Sequence, residues 1–479
     1  MMTTKKTIAT LALAGVLVIG GAGYAVTQQS QGDNQTSQTA SSLSTKKTNL
    51  AVTTSYPTSA KTGDASGKVA AKGTVNLSKM TTSGEGVKVS GKTVTISKGG
   101  TYYFTGTATD AQIIVDAGDK DAVTIIMNGV DLTASQGAAI YEKNADKTVI
   151  ETAANSVNLI DGGTIADTDE VKGAIYATHD LTFKGDGTLA VNGDAKDAVY
   201  TKDDLKIKSG TLFAKAANDG LVGHDSVHIT DGTVNVTAKD DAIESNQDND
   251  ETKGLVEIKG GDITVATGTE SGNHGISAER KLVISGGKVK VTSSYEGLQA
   301  NEIDLNGGDT TISSTDDAVN ASGSYTTPIL NITAGKLAFL AGGDGLDSNG
   351  DVKISGGTIN AMINSSPDNE AVDLDGTMTF TGGTLLYGGT GTGATFDGAY
   401  VKLPNGVKTG DAVKVSDESG KVIATFTANA DGDTVAVAAT GITAGNSYQV
   451  SVAGTTTAVT AGSGLTEGMA GGPMGGMPQ

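Results

Sequence analysis

Residues 230–261 read TDGTVNVTAKDDAIESNQDNDETKGLVEIKGG. Val234 and Val236 alternate with Asn235 and Thr237, the period of a strand with one buried face. A turn, a small residue with an apolar neighbour (Ala242, Ile243), a loop, and Val256 with Ile258 complete the unit before the next glycine pair. The phrase returns along the chain, as GGTI (162–165), DGTV (231–234), GGDITV (260–265), GGKVKV (286–291) and GGTLLY (382–387). Its marker glycines, Gly163, Gly187, Gly210, Gly232, Gly261, Gly287, Gly308, Gly335, Gly357 and Gly383, lie 21–29 residues apart, about 24 on average. The apolar pair before each glycine recurs as Leu181/Phe183, Leu205/Ile207, Val227/Ile229, Leu282/Ile284 and Val352/Ile354.

A fixed period in this range marks a solenoid or a propeller. No segment here carries an apolar stripe at helical spacing. Propeller blades need about 40 residues and antiparallel hairpins, which leaves three short strands per turn. The reading is all-β: a right-handed parallel β-helix of about 24 residues per coil, with like residues stacked at the strand spacing of about 4.7–4.9 Å.

Composition agrees. The 479 residues include 68 glycines, 6 prolines and no tryptophan, suited to strands joined by tight corners. The formal charge is −20, which argues against binding nucleic acid by phosphate neutralisation. Absence of cysteine removes disulfides and thiolate metal sites.

At the N-terminus Lys5 and Lys6 precede the apolar run Ile8–Val26. Residues 1–27 read as a signal peptide, with small residues Gly23 and Ala25 for cleavage, or as an uncleaved membrane anchor. Either places the body outside the membrane, secreted or at the cell surface. Residues 28–75 read as a Ser/Thr/Gln-rich flexible spacer and 76–395 as the β-helix. Residues 396–460 read as a small antiparallel β cap, because a solenoid's last coil has to be closed. Residues 461–479 form a Gly/Met tail.

Two constellations stand out. The first is acidic. Before the small residue of the middle strand stand Asp197, Asp219, Asp241, Glu296, Asp317, Asp344 and Glu370, with His274 as the one interruption. Three positions on come Glu244, Asn320, Asp347 and Asp373. Stacked in register, adjacent carboxylates would repel by roughly 3 kcal/mol at an effective dielectric of about 20. Oxygens converging from neighbouring coils are what Ca²⁺ requires; the structural alternative is that these acids only close turns on their own backbone. The candidate metal ligands are therefore Asp219, Asp241, Glu244, Glu296, Asp317, Asn320, Asp344, Asp347, Glu370 and Asp373.

The second is aromatic. Tyr141, Tyr176 and Tyr200 occupy one position of three successive coils, and the inward-facing Ile140, Ile175 and Val199 before them turn the tyrosines outward. Such a strip could stack on sugar faces or simply brace the helix as a self-stacking ladder.

For catalysis the pattern is thin. A lyase needs a base near the C5 proton of a uronate, and the lone arginine, Arg280, follows the coil of His274; Lys281, Lys239 and Lys202 serve as readily. His179, His224, His228 and His274 show no metal-ligand spacing.

The run Tyr102–Phe104, Gln112–Ala117, Ala122–Leu132, then Ala138–Tyr141, Asn155–Gly162 and the Asp-Ala-Ile and Gly-Gly coils resembles the secreted bacterial carbohydrate-binding β-helix family, whose fold is like that of pectate lyases. The likeness covers about residues 76–460. It implies binding of cellulose- or polygalacturonate-like polysaccharide with calcium held between coils. The competing classes are a calcium-dependent polysaccharide lyase and a structural adhesin or matrix protein.

Overall fold

A computed structural model describes residues 55–66, 71–166, 170–363, 369–389 and 398–463. The expected signal or anchor (1–27), the first part of the spacer and the tail from 464 lie outside the described residues.

The chain winds into a parallel β-solenoid of about 12 turns, with about 26 residues per turn, as the alternating pattern requires. Each turn contributes to three parallel sheets. Sheet 1 holds the strands of the acidic and tyrosine positions, such as Gly173–Ala177, Asp197–Thr201, Leu221–Gly223 and Ile243–Ser245. Sheet 2 holds those with the apolar pair, such as Lys147–Thr152, Asp180–Gly185 and Asp204–Ile207. Sheet 3 holds those after the marker glycine, such as Thr188–Gly193, Thr211–Ala216 and Thr233–Thr237.

Register is strict where it matters. On sheet 1, Ile175, Val199, Leu221, Ile243, Ile276, Leu298, Val319, Leu346 and Val372 align coil to coil. All are buried in one continuous core. Each such side chain taken from water contributes about 1.5–3 kcal/mol, so a slip of one residue, which would turn the row outward, is strongly disfavoured. From Gly210 to Gly383 every marker glycine has φ between 79° and 108°, a corner that a side chain enters only at a cost. Gly163 and Gly187 lack a positive φ, and at the second of these corners Gly185 (φ 118°) takes the left-handed position.

Two findings modify the expected domain layout. Residues 55–66, assigned to the flexible spacer, dock on the solenoid. Lys61 bridges Val157, the Gly63 N–H donates to Asn128 Oδ1, and Tyr56 meets the Phe213 ring edge-on at 6.2 Å. The outward-facing apolar row Leu159–Ala190–Phe213 gives this segment something to cover. The C-terminal element does more than close the last coil. Its strand Thr434–Ala439 pairs antiparallel with the final coil strand Met378–Gly389. A four-stranded antiparallel sheet (412–417, 422–427, 447–452, 455–460) then forms a second core on the outward side chains Met362 and Leu386.

Candidate metal centre and binding face

The acidic positions form one row on the outside of sheet 1, and the reason is local. The small residue after each acid turns the chain into the strand while passing close beneath the next coil. A Cβ on Gly220 would come within 2.5 Å of Ala242 O, and one on Gly345 within 2.4 Å of Ala371 O. The small residue's N–H, or that of its coil-mate, bonds the next acid's carbonyl: Ala198 to Asp219, Gly220 to Asp241, Gly297 to Asp317, Ala318 to Asp344 and Gly345 to Glu370.

The carboxylates then cap the neighbouring coil rather than their own turn. Asp197 Oδ1 accepts the Asp219 N–H (3.2 Å), Asp219 Oδ1 that of Asp241 (3.1 Å) and Asp241 Oδ1 that of His274 (2.6 Å). Asp317 Oδ1 accepts the Asp344 N–H (2.7 Å), and Asp344 Oδ1 that of Glu370 (2.5 Å). The alternative, turn-closing on the same backbone, is thus replaced by a coil-to-coil role. It satisfies a backbone donor that a corner leaves without a sheet partner.

Three positions on runs a second row, Tyr141–Tyr176–Tyr200–Val222–Glu244–Ser277–Gln299–Asn320–Asp347–Asp373, in unbroken register. Together the rows bring all ten candidate ligands onto one face, but into three groups. Asp219, Asp241 and Glu244 form the first. Burial, then the mutual repulsion of neighbouring carboxylates, pushes Asp219 up to about 8 and Glu244 well above the usual carboxylate range. Asp344, Asp347, Glu370 and Asp373 form the third, where burial and then Asp373 and Asp344 raise Asp347 to about 6.

The middle group has the geometry of a cation site. One oxygen each from Glu296, Asp316 and Asp317 lies within 4.8 Å of the others. Asn320 donates its Nδ2–H to Glu296 Oε1 at 3.0 Å, while Glu296 Oε2 and Asn320 Oδ1 are buried without a hydrogen-bond partner. Burial raises Asp317 to about 8 despite the N–H it accepts from Asp344, and Asp316 adds to the rise. Three carboxylates and an amide oxygen, two of these atoms buried and unsatisfied, fit a hard cation that completes its shell with water. Asp316 was not among the residues singled out from sequence. The doubled Asp at 316–317 was the available signal. A second carboxylate cluster, Asp180, Asp203 and Asp204, differs: Lys206 Nζ already stands 2.6 Å from Asp180 and 2.9 Å from Asp204.

The tyrosines require a correction. They do point away from the solenoid core, but Tyr176 is 0% and Tyr200 5% exposed. Tyr176 stacks on Tyr200 with centroids at 5.7 Å and meets Tyr141 edge-on at 5.5 Å. Val171 packs against this cluster and Lys172 Nζ lies 4.6 Å from the Tyr200 ring centre. The row is a covered brace, and only the half-buried Tyr141 reaches solvent. Arg280, too, is committed elsewhere, its Nε–H donating to Lys253 O at 2.7 Å.

A family model described as a carbohydrate-binding domain-containing protein matches residues 90–328 and again 269–468, together most of the chain. The chain belongs to this carbohydrate-binding family. A member from Acetivibrio thermocellus, named a carbohydrate-binding domain-containing protein, is 34% identical over 166 residues, 33% of this chain and 57% of that one. The chain thus spans just over half the length of this curated relative. Among solved structures, a gadolinium derivative of a polysaccharide lyase-like protein from C. thermocellum is 31% identical, covering 50% of this chain and 93% of that one, with a TM-score of 0.42. The family match runs across all three acidic groups of sheet 1.

Proposed function

We propose that this protein is exported, released or held at the cell surface, and binds polysaccharide along the acidic face of sheet 1 with Ca²⁺ between coils, performing no chemistry on the polymer. The observation that carries the reading is the Glu296–Asp316–Asp317–Asn320 group, drawn from two successive coils, in which two buried oxygens, Glu296 Oε2 and Asn320 Oδ1, accept no hydrogen bond. Glu296, Asp316, Asp317 and Asn320 would hold the ion, which would neutralise carboxylates that otherwise repel. The flanking groups, Asp219/Asp241/Glu244 and Asp344/Asp347/Glu370/Asp373, would extend the same service along the axis. A polymer of repeating sugars matches a surface of repeating coils, so affinity would come from several weak contacts in series. The polymers to expect are cellulose-like chains and, through bridging calcium, polygalacturonate-like ones.

A pull-down across insoluble cellulose, pectate gel and neutral control gels, with Ca²⁺ and with EDTA, tests this. Retention by cellulose or pectate, with the pectate share weakened by EDTA, is the expected result. Retention by none of them, or accumulation of unsaturated uronate absorbance on incubation with pectate and Ca²⁺, overturns it.

A further inference from the structure

The chain carries 34 basic and 54 acidic residues, yet one depression on sheet 2 gathers four lysines. A groove of about 340 Å³ crosses three successive coils, and its lining includes Lys147, Lys184, Lys206 and Lys208 against a single carboxylate, Asp180. Its floor is Val149 and the buried Thr182, stacked in register, with Lys206 next in the same row.

The four lysines are not equivalent. Lys206 is fixed between Asp180 (2.6 Å) and Asp204 (2.9 Å), and so belongs to the scaffold. Lys184 pairs with Glu151 at 2.8 Å and Lys147 with Asp146 at 3.6 Å, both through substantially exposed side chains. Exposed pairs of this kind hold by no more than about 1 kcal/mol, so an incoming anion can compete for these ammonium groups. Lys208, anchored by its N–H to Phe183 O, has no carboxylate partner among the described residues. The groove therefore offers three competable ammonium groups on coils about 4.7–4.9 Å apart, over a floor with one methyl-bearing and one hydroxyl-bearing side chain.

We propose that this groove is a second, calcium-independent subsite that takes the anionic group of an acidic sugar, a carboxylate or a sulfate, in a polysaccharide. The inference rests on the polysaccharide-binding reading above and adds a different face and a different source of attraction. On sheet 1 an acidic polymer needs a cation as intermediary. On sheet 2 it meets ammonium groups directly, and screening by salt rather than chelation weakens the contact. Lys147 stands on the row of Asp180 and Lys184 on that of Glu151, at opposite ends of the strand, so the charges are spread across the groove and suit a chain bearing several anions over an isolated one.

The test uses the full chain in EDTA, titrated with polygalacturonate fragments, dextran sulfate, a neutral glucan and duplex DNA at low and physiological salt. Beside it runs Lys184→Gln/Lys208→Gln, whose circular dichroism and melting confirm folding. Binding of an anionic glycan that fades with salt, and that falls roughly five- to tenfold in the double variant, supports the subsite. Preference for polygalacturonate assigns a carboxylate, and preference for dextran sulfate assigns a sulfate. No anionic glycan bound in EDTA, equal affinity of variant and parent, or DNA bound as tightly as the glycans overturns the proposal. If the protein still binds polysaccharide with Ca²⁺ in those cases, the subsite alone fails. If it binds none under any condition, the broader reading fails as well.

Discussion

Asp241 holds His274 at two points: its Oδ1 accepts the His274 backbone N–H at 2.6 Å, and its Oδ2 lies 3.2 Å from Nδ1. The imidazole's other nitrogen faces Glu296 Oε2 at 3.6 Å. The one basic rung of the ladder thus stands between the first acidic group and the candidate cation site. Burial alone would lower the histidine's pKa, but the hydrogen bond and charge of Asp241, with Glu296 beyond, outweigh it and the pKa rises. A protonated His274 supplies at one coil the positive charge that a metal ion would supply at the next.

The metal-free protein should lose stability as pH rises. Asp219 and Asp317 are raised from 3.8 to about 8, and Asp347 to about 6, chiefly by burial. Between the unfolded and folded values the native state binds more protons than the unfolded chain, so the slope of unfolding free energy against pH is negative. In EDTA the melting temperature, followed by circular dichroism, should fall from about pH 4 to about pH 8. Ca²⁺ binds the deprotonated ligands, so its stabilisation should be larger at pH 8 than at pH 5. A melting temperature in EDTA that climbs through this range would contradict the assignment.

Terbium should report the middle site directly. Tyr295 directly precedes Glu296 in the chain, and the Asp316 carboxylate lies near enough to its hydroxyl to raise the phenol's pKa, so the ring is placed to sensitise a lanthanide bound there. Tb³⁺ added to the protein should luminesce on tyrosine excitation, and Ca²⁺ should quench the signal by displacement. Asp317→Asn and Tyr295→Leu should each remove most of it. In EDTA, Asp317→Asn should leave the melting temperature unchanged at neutral pH and raise it above about pH 8, because it replaces a carboxyl whose ionisation burial opposes and keeps an acceptor for the Asp344 N–H. Persistence of the full signal in both variants would place the ion elsewhere.

The sequence made the solenoid legible because one requirement repeats: an inward side chain must meet its counterpart, so Leu221, Ile243 and Ile276 had to recur at a fixed phase. The rows of the candidate site followed from the same phase, which is why Asp219, Asp317 and Asp344 fall on one face. What failed was everything set by a single non-repeating segment. The chain around Val171 covers Tyr176, and the stretch at 55–66 covers Phe213; nothing periodic announces either. Outward direction could be read, but solvent access depends on what else lies across the coil. Asp316 was hidden for a related reason. It sits one residue outside the repeating position and would act as a ligand only together with the carboxylates of Glu296 and Asp317.

Tyr176 should behave as a core residue. Fully buried between Tyr141 and Tyr200, it leaves a large void when truncated, and Tyr176→Ala should cost about 3–5 kcal/mol. Tyr141→Ala, half-exposed at the end of the row, should cost distinctly less. Denaturant titration measures both. Polysaccharide retention by the folded Tyr176→Ala protein should stay within about twofold of the parent, since a covered ring contributes no contact to a ligand. A selective loss of binding without loss of stability would return the tyrosines to the binding surface.

Removing the C-terminal element should cause association before it causes unfolding. A chain ending at Gly389 loses the antiparallel partner of its last strand, which leaves Thr384–Gly389 as an open edge, the template for pairing with another chain. The same cut uncovers Met362 and Leu386, both now buried in the second core, and frees Asn360 from the Thr427 carbonyl its Nδ2–H bonds at 2.8 Å. Gel filtration of the truncated protein should show dimers and larger species. The two causes separate on substitution. Met362→Glu with Leu386→Lys removes the apolar patch and keeps the edge, so a return to monomer would assign the association to the patch, whereas persistent oligomers would assign it to the edge. A truncated chain that stays monomeric without these changes would show that the final coil closes itself, and that the C-terminal sheet is an appended domain rather than a cap.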